Sequence, residues 1–125
     1  MAALDERHTS TATLRAEGAI TKGYGLKSGA AQNGALVSSV NGSKIIGVAG
    51  ESCASGEAFL AIKDGETKAI AGDAIALNAE VAVDSDARFI EAASGDVIVG
   101  IARSAAGADG DEFILELVRG LTVKA

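Results

Sequence analysis

From Gly18 onward, short runs of apolar residues alternate with glycine-containing turns. Asn-Gly and Asp-Gly pairs favour tight hairpin turns, because these residues tolerate the left-handed backbone conformation. Three such pairs divide the chain: Asn33-Gly34, Asn41-Gly42 and Asp64-Gly65. The apolar runs of strand length are residues 35–40, 44–49, 58–62, 67–70, 96–102 and 112–118. Short strands at this spacing predict an all-β fold, a small barrel or sandwich in which a β-tulip-like arrangement is one option. We expect the runs on either side of Asp64-Gly65 to pair as a hairpin.

Residues 71–83 are open to two interpretations. Their high alanine content favours a helix on propensity alone. Asn78 and the alternation across residues 81–83 favour a strand or irregular structure instead. We expect the second.

Two segments of the chain repeat one another. An Ile-Gly-Val-Ala run around Gly47 precedes Phe59, and a Val-Gly-Ile-Ala run around Gly100 precedes Phe113. The two glycines lie 53 positions apart. This spacing predicts two halves of similar strand order, with a pseudo-twofold relation between them.

The first 17 residues differ in composition from the rest of the chain. They contain no glycine and few large apolar residues, and threonines alternate at Thr9, Thr11 and Thr13. Such a segment can extend as a strand but has little to bury, so its ordering entropy is not offset. We expect a flexible N-terminal arm at residues 1–17, followed by a single β-rich domain at residues 18–125.

The charge balance excludes several classes of partner. The chain has 11 basic and 17 acidic residues, a net charge of −6. It therefore lacks the basic surface that binding to nucleic acid or to anionic membranes requires. No apolar run approaches the length of a membrane span or of a signal-peptide core, so we expect a soluble protein.

The reactive side chains are few and scattered. Cys53 is the only cysteine and His8 the only histidine, which leaves no residue set for a disulfide or a metal centre. We expect Cys53 to be a half-buried thiol and His8 to be exposed. Residues 84–86 and 108–112 predict acidic turns, because neither has the ligand spacing of a calcium loop. We therefore expect no enzymatic activity and no cofactor or metal.

Three segments follow one another in an order that is typical of a known family. They are EGAITKGYGLK at residues 17–27, KIIGVAGESCASGEAFLAIKDGE at residues 44–66, and AGDAIALNAEVAVDSDARFIEAASGDVIVGIARSAAGADGDEFILEL at residues 71–117. An early glycine-lysine turn is followed by a Gly-Val-Ala strand, a Gly-Glu strand, an Ala-Gly-Asp turn and a late Val-Gly-Ile-Ala strand. In this order the chain resembles the small capsid cement or decoration proteins of tailed bacteriophages.

The resemblance implies a structural virion protein that binds the outer surface of the expanded icosahedral head and stabilises the capsid. Its implied partner is the major capsid protein, and it implies a homo-oligomer, with a trimer favoured over a dimer. It also implies synthesis in the cytoplasm of the host bacterium. Related decoration proteins use an N-terminal arm that adds a strand to the shell. On that basis we assign capsid binding to Thr9, Thr11, Thr13, Leu14 and Arg15.

Tyr24 is the only tyrosine of the chain. An aromatic ring near the start of the compact region can anchor a subunit interface or pack into the core. We treat Tyr24 as the candidate for a subunit interface.

Two alternatives from other functional classes stay open. The first is a sugar-binding or adhesin-like β-module on the virion surface, although aromatic residues are sparse. The second is a carrier module of the biotinyl or lipoyl kind, which displays a lysine at a hairpin tip. Lys63, next to Asp64-Gly65, occupies such a predicted position.

Overall fold

The computed structural model describes residues 7–125, with side chains for residues 10–118 and 122–125. In this part of the chain the regular elements are all strands, and no helix is long and apolar enough to cross a membrane. The strands are β1 (Arg7–Ala16), β2 (Gly25–Ser28), β3 (Gly34–Val37), β4 (Gly47–Ala49), β5 (Ala58–Ile70), β6 (Glu80–Val83), β7 (Phe89–Glu91), β8 (Val97–Ala102) and β9 (Glu112–Val123). The predicted all-β fold is confirmed.

Strands β1 to β5 close a small barrel. Their order in the sheet is β1-β3-β2-β4-β5, and β5 returns to pair antiparallel with β1. The parallel contact between β1 and β3 joins Arg15 to Gly34 and Ala16 to Ala35. Closure pairs strands that would otherwise be edges. The sheet continues beyond the barrel from β5, in the order β9-β8-β6-β7.

Strand β5 runs through the predicted hairpin at Asp64-Gly65 without turning, so that prediction is wrong. Its first half pairs with β1 and β4, and its second half pairs with β9. Gly65 has a φ of 92° and lies opposite an irregular step of β1 between His8 and Ser10. Because partner strands are present along both halves of β5, the Asp-Gly pair forms an irregularity within one long strand rather than a turn.

The second half of the chain repeats the pairings of the first half. Each recurring pair joins residues that lie 53 to 55 positions further along the chain. The pairs are Ala16–Ala35 with Ala71–Phe89 (parallel), Ile20–Cys53 with Ile75–Ala106 (antiparallel), and Leu26–Gly47 with Val81–Gly100 (antiparallel). The two-half organisation predicted from the glycine spacing is therefore confirmed.

Two hydrophobic clusters form the core. One fills the barrel around Leu26 and Phe59. The other fills the second half, where the rings of Phe89 and Phe113 meet edge to face with centroids 6.3 Å apart. Strands β4 and β5 also contribute buried residues to this second cluster, Val48 and Ile62. The two halves therefore share apolar packing as well as a strand.

The alanine-rich residues 71–83 contain no helix. Ile75 forms an isolated bridge, Asn78 takes a φ of 69° in the turn that follows, and the segment ends in β6. Ile75 and Val81 are fully buried. Packing against the second core cluster thus overrides helix propensity, and the prediction of strand or irregular structure is confirmed.

We expected a flexible arm at residues 1–17, but the part of it that the structure describes, from residue 7 onward, is a paired strand. Residues 7–16 are β1, which pairs with β5 from Arg7–Glu66 to Arg15–Ala58. Leu14 and Ala16, at 8% and 2% exposed, belong to the core cluster of the barrel. A barrel strand buries only alternate side chains and is held largely by backbone pairing, so a low apolar content does not exclude it.

Replacing Leu14 tests whether β1 belongs to the core. We expect Leu14→Ala to lower the free energy of unfolding by about 2–4 kcal/mol, because it leaves a cavity in the barrel. Thr13→Ala, at the exposed neighbouring position, should lower it by less than about 1 kcal/mol. Urea denaturation followed by circular dichroism measures both values. Equal losses would show that β1 is not part of the packed core.

Gly47 and Gly100 occupy equivalent positions where two strands approach closely. A Cβ atom at Gly47 would lie 2.7 Å from the carbonyl oxygen of Ile62. A Cβ atom at Gly100 would lie even closer to the carbonyl oxygen of Glu116. These oxygens belong to strand backbone and cannot move aside without disturbing the ladder, so neither position accommodates a side chain.

We expect Gly47→Ala and Gly100→Ala each to lower the free energy of unfolding by about 1–3 kcal/mol, because the added methyl group overpacks the strand contact. Gly107→Ala is the matched control, since its Cβ atom would meet only an Asp111 carboxylate oxygen at 3.4 Å. That control should stay within about 0.5 kcal/mol of the wild type. Thermal denaturation compares the three variants, and stability of either strand variant equal to that of Gly107→Ala would refute the close approach.

Candidate functional site

The outward face of β1 carries three of the residues predicted to bind a capsid. Thr11, Thr13 and Arg15 are all exposed. The Arg15 guanidinium donates a hydrogen bond of 2.6 Å to the carbonyl oxygen of Gly56. Thr13 is the ladder partner of Leu60, which is 37% exposed and adds an apolar side chain to the same face. Together, Thr11, Thr13, Arg15 and Leu60 are called the β1 face below.

The structure places the other two predicted contact residues differently. Leu14 packs inside the barrel and is 8% exposed. The backbone of Thr9 lies in β1, and its side chain is outside the described residues. Because β1 already pairs with β5, it is not free to join a sheet of the shell as an added strand.

Tyr24 lies in the turn before β2 and is half-buried. Its backbone N–H donates to the carbonyl oxygen of Thr21 (3.2 Å), and its own carbonyl oxygen accepts from the N–H of Ala49 (3.0 Å). These bonds fix the backbone and leave part of the ring at the surface. The role of Tyr24 at a subunit interface stays a prediction.

The two acidic stretches are turns joined by one arginine. The carboxylate of Asp84 accepts hydrogen bonds from the backbone N–H of Asp86 (2.8 Å) and of Arg88 (3.0 Å). The Arg88 guanidinium pairs with Asp86 at 3.5 Å and with Asp109 at 2.5 Å. No group of three or more His, Cys, Asp or Glu side chains that could hold a metal ion occurs among the described residues.

The Cys53 thiol is half-buried, as predicted. Burial raises its pKa, and the negative charges of Glu57 and Glu51 raise it further. The thiol therefore keeps its proton at neutral pH, which makes it a poor nucleophile. The backbone of His8 lies in β1, and its side chain is outside the described residues.

Lys63 lies within β5 and not at a hairpin tip. The carrier interpretation requires a lysine displayed at such a tip, so the structure removes the feature on which that interpretation rested. The Lys63 side chain is nevertheless exposed. It stands at the surface where the two halves of the molecule meet.

A groove runs past Lys63 along this junction. It consists of two adjoining depressions that share Ile46 and Lys63. The depression between the halves is further lined by residues 44–45, Gly47, 97–99 and 117–118, and the one at the barrel end by Leu14 and residues 28–34. Both depressions together are called the Lys63 groove below. The cavity between the halves has a volume of about 60 Å³, far below the roughly 300 Å³ at which small-molecule pockets begin.

The Lys63 groove is basic, although the chain as a whole is acidic. Neither depression is lined by Asp or Glu, whereas the whole chain has a net charge of −6. Lys44 and Lys63 are both exposed, and neither ammonium group has a hydrogen bond or an ion pair with another described residue. Lys44 and Lys63 are therefore two cations without an ion-pair partner among the described residues, and the nearby carboxylate of Glu17 is bound to the backbone of the loop at residues 30–31.

The backbone beside the groove is also unpaired. Residues 44–45 precede β4, and neither Lys44 nor Ile45 forms a backbone hydrogen bond with any other described residue. Ladder pairing begins only at Ile46, whose N–H donates to the carbonyl oxygen of Leu26 (2.8 Å). The groove thus combines free backbone groups with free ammonium groups.

Sequence reasoning did not select this groove, because barrel closure brings its parts together from distant segments. The internal repeat holds a signal that could have found it. Gly100 pairs with Leu117, a core residue of the second half. The corresponding residue of the first half, next to Gly47 across the ladder, is Lys63. A lysine at a position whose counterpart is a core leucine marks a local departure from the repeat.

Glu17 holds the loop that forms one wall of the groove. Its carboxylate accepts hydrogen bonds from the backbone N–H of Ala31 (3.0 Å) and of Ala30 (2.9 Å). These bonds, that of Ala31 first, lower the pKa of Glu17. Because the pKa is lower in the folded state, the stabilisation is present above the unfolded value and is lost as pH falls through the folded value. The wall is therefore fixed at neutral pH.

A solved structure with the same fold comes from a bacteriophage head. The chain matches the N base of the head fibre gp8.5 of bacteriophage phi29 with a TM-score of 0.72 and 16% sequence identity. The match covers 90% of this chain and 97% of that chain. At this identity the likeness concerns the fold. No curated protein matches the chain.

The sequence itself assigns the family. The family model of phage cement proteins matches residues 4–117, which is nearly the whole chain. This match covers both halves of the fold, from β1 through the first half of β9. The chain therefore belongs to the phage cement protein family and is a structural protein of the phage capsid.

Proposed function

We propose that this protein binds the outer surface of the expanded icosahedral head, contacts the major capsid protein and stabilises the shell. The observation that carries the proposal is membership of the phage cement protein family over residues 4–117. In the proposed pathway the chain is made in the host cytoplasm and joins the virion from outside, after the head has expanded.

The β1 face is the proposed contact surface. Thr11, Thr13 and Arg15 present hydroxyl and guanidinium groups to solvent, and Leu60 adds apolar area beside them. Because β1 closes the barrel, this face is ordered before it meets the shell. A preorganised surface loses less conformational entropy on binding than a flexible arm does.

Shell stabilisation follows from rigidity and copy number. A stiff domain that touches two neighbouring shell subunits opposes their separation, and each copy on a head adds its contribution. Weak binding of one copy is sufficient when contacts are multivalent.

Co-sedimentation with the heads of its source phage tests the proposal. We expect saturable binding to expanded heads, at a fixed ratio to the shell subunit, and no binding to unexpanded heads. Decorated heads should also release their DNA at a higher temperature than undecorated heads, because the contacts must break first. Absence of binding to either form of head would contradict the proposal.

The variant Thr11→Asp/Thr13→Asp tests the β1 face in the same assay. We expect at least a tenfold loss of affinity, since the added carboxylates must be desolvated at the contact. Thr21→Asp/Ser94→Asp is the matched control, because it adds the same charge at exposed turn positions outside the β1 face. If both double variants bind like the wild type, the contact lies elsewhere on the molecule.

We infer in addition that the protein assembles as a homotrimer, with a dimer as the alternative, and that Tyr24 lies at the subunit interface. A half-buried ring is the kind of anchor that interfaces use, and this chain has only one tyrosine and three phenylalanines. Sedimentation equilibrium should show a trimer for the wild type and a shift to monomer for Tyr24→Ala. Leu77→Ala, at a side chain that is 57% exposed, is the control. A monomeric wild type would contradict the assembly, and a trimeric Tyr24→Ala would contradict the role of Tyr24.

A further inference from the structure

We propose that the Lys63 groove binds an extended, acidic segment of the shell protein by strand addition alongside residues 44–46. This inference rests on the proposed function and specifies the chemistry of the partner. Its first support is electrostatic. Lys44 and Lys63 have no carboxylate partner among the described residues, and no acidic side chain lines the groove.

Charge complementarity makes the groove selective for an acidic ligand. The chain carries an excess of acidic residues, and none of those whose side chains are described lines this surface. An acidic segment is therefore repelled by the acidic remainder and attracted at the two lysines. Such an arrangement determines the site and register of binding more than the total affinity.

The unpaired backbone indicates that the ligand is an extended peptide. Neither Lys44 nor Ile45 forms a backbone hydrogen bond with another described residue. An added strand would supply the missing partners, and its alternate side chains would point into the groove. Val118, which is 39% exposed at the groove wall, offers an apolar contact for such a side chain.

The shape of the cavity between the halves excludes a compact ligand there, whereas the second depression is larger, at about 440 Å³. The cavity between the halves, of about 60 Å³, admits a side chain but not a metabolite. The second depression continues the groove past Ile46 and Lys63 towards the loop 28–34. An extended chain can follow this path, with a carboxylate next to each lysine.

The family favours the shell protein over a second copy of this chain, because the chain is a structural protein of the phage capsid. Thr11 is the ladder partner of Ile62, the residue before Lys63. Because successive residues of a strand point to opposite faces of the sheet, Lys63 faces away from the β1 face, and none of the β1-face residues lines the groove. The groove is therefore a contact surface separate from the β1 face, and a shell segment can occupy it while the β1 face contacts the same shell.

Charge reversal at Lys63 tests the groove in the head-binding assay. We expect Lys63→Glu to weaken binding to expanded heads about tenfold, and added salt to reduce the difference between variant and wild type. Lys22→Glu is the matched control, because Lys22 is also exposed, has no ion pair with another described residue and does not line the groove. Far-ultraviolet circular dichroism confirms that both variants fold.

Carbodiimide crosslinking of decorated heads then identifies the occupant, because this reagent couples an ammonium group to a contacting carboxylate. We expect mass spectrometry to find Lys44 or Lys63 joined to an aspartate or glutamate of the shell protein. Decoration with a mixture of isotope-labelled and unlabelled protein distinguishes crosslinks between two copies of this chain. Crosslinks of that kind alone, or none at either lysine, would overturn the inference.

The two proposals fail in different ways. A wild type that binds no heads contradicts the proposed function itself. A Lys63→Glu variant that binds as tightly as the wild type contradicts the groove and leaves the proposed function standing.

Discussion

Strand β5 is the element on which both halves of the molecule depend. Its 13 residues provide the strand that closes the barrel onto β1 and the strand from which the second half extends. Ile62 of this strand lies in the core cluster of the second half, together with Val48 of β4. Backbone pairing and apolar packing therefore couple the halves at the same place, and loss of either half exposes the core of the other.

The repeat places equal backbone constraints on both halves. At Gly47 and Gly100 a neighbouring strand passes too close for a side chain. The turns that follow make the same bonds, since Gly56 N–H donates to Ala16 and Gly110 N–H donates to Ala71, both at 2.8 Å. The backbone is therefore constrained in the same way in both halves at these positions. Differences in binding between the halves must come from their exposed side chains.

Short-range sequence patterns predicted the fold class and the repeat correctly. They did not predict features that depend on pairing between residues far apart in the sequence. Glycine-bounded apolar runs gave the all-β fold, and the Gly47 and Gly100 spacing gave the two halves. The hairpin prediction at Asp64-Gly65 was wrong because the same dipeptide suits both a tight turn and an irregular step in a long strand. Residues 7–16 were expected to belong to a flexible arm because they contain few apolar residues. A strand that is held by backbone pairing needs little apolar content. Lys44 and Lys63 meet only after the barrel closes, so no short motif contains both.

Lys63 is the position at which a difference between the two halves bears on the proposed function. Its counterpart Leu117 is 8% exposed and belongs to the second core cluster, whereas Lys63 is exposed at the open end of the barrel. A buried leucine at this position would extend the core, so the lysine forgoes apolar burial of roughly 1.5–3 kcal/mol. None of the carboxylates that the structure describes pairs with Lys63 to compensate this loss. A partner that supplies a carboxylate explains why the two halves differ here although their strand pairings recur.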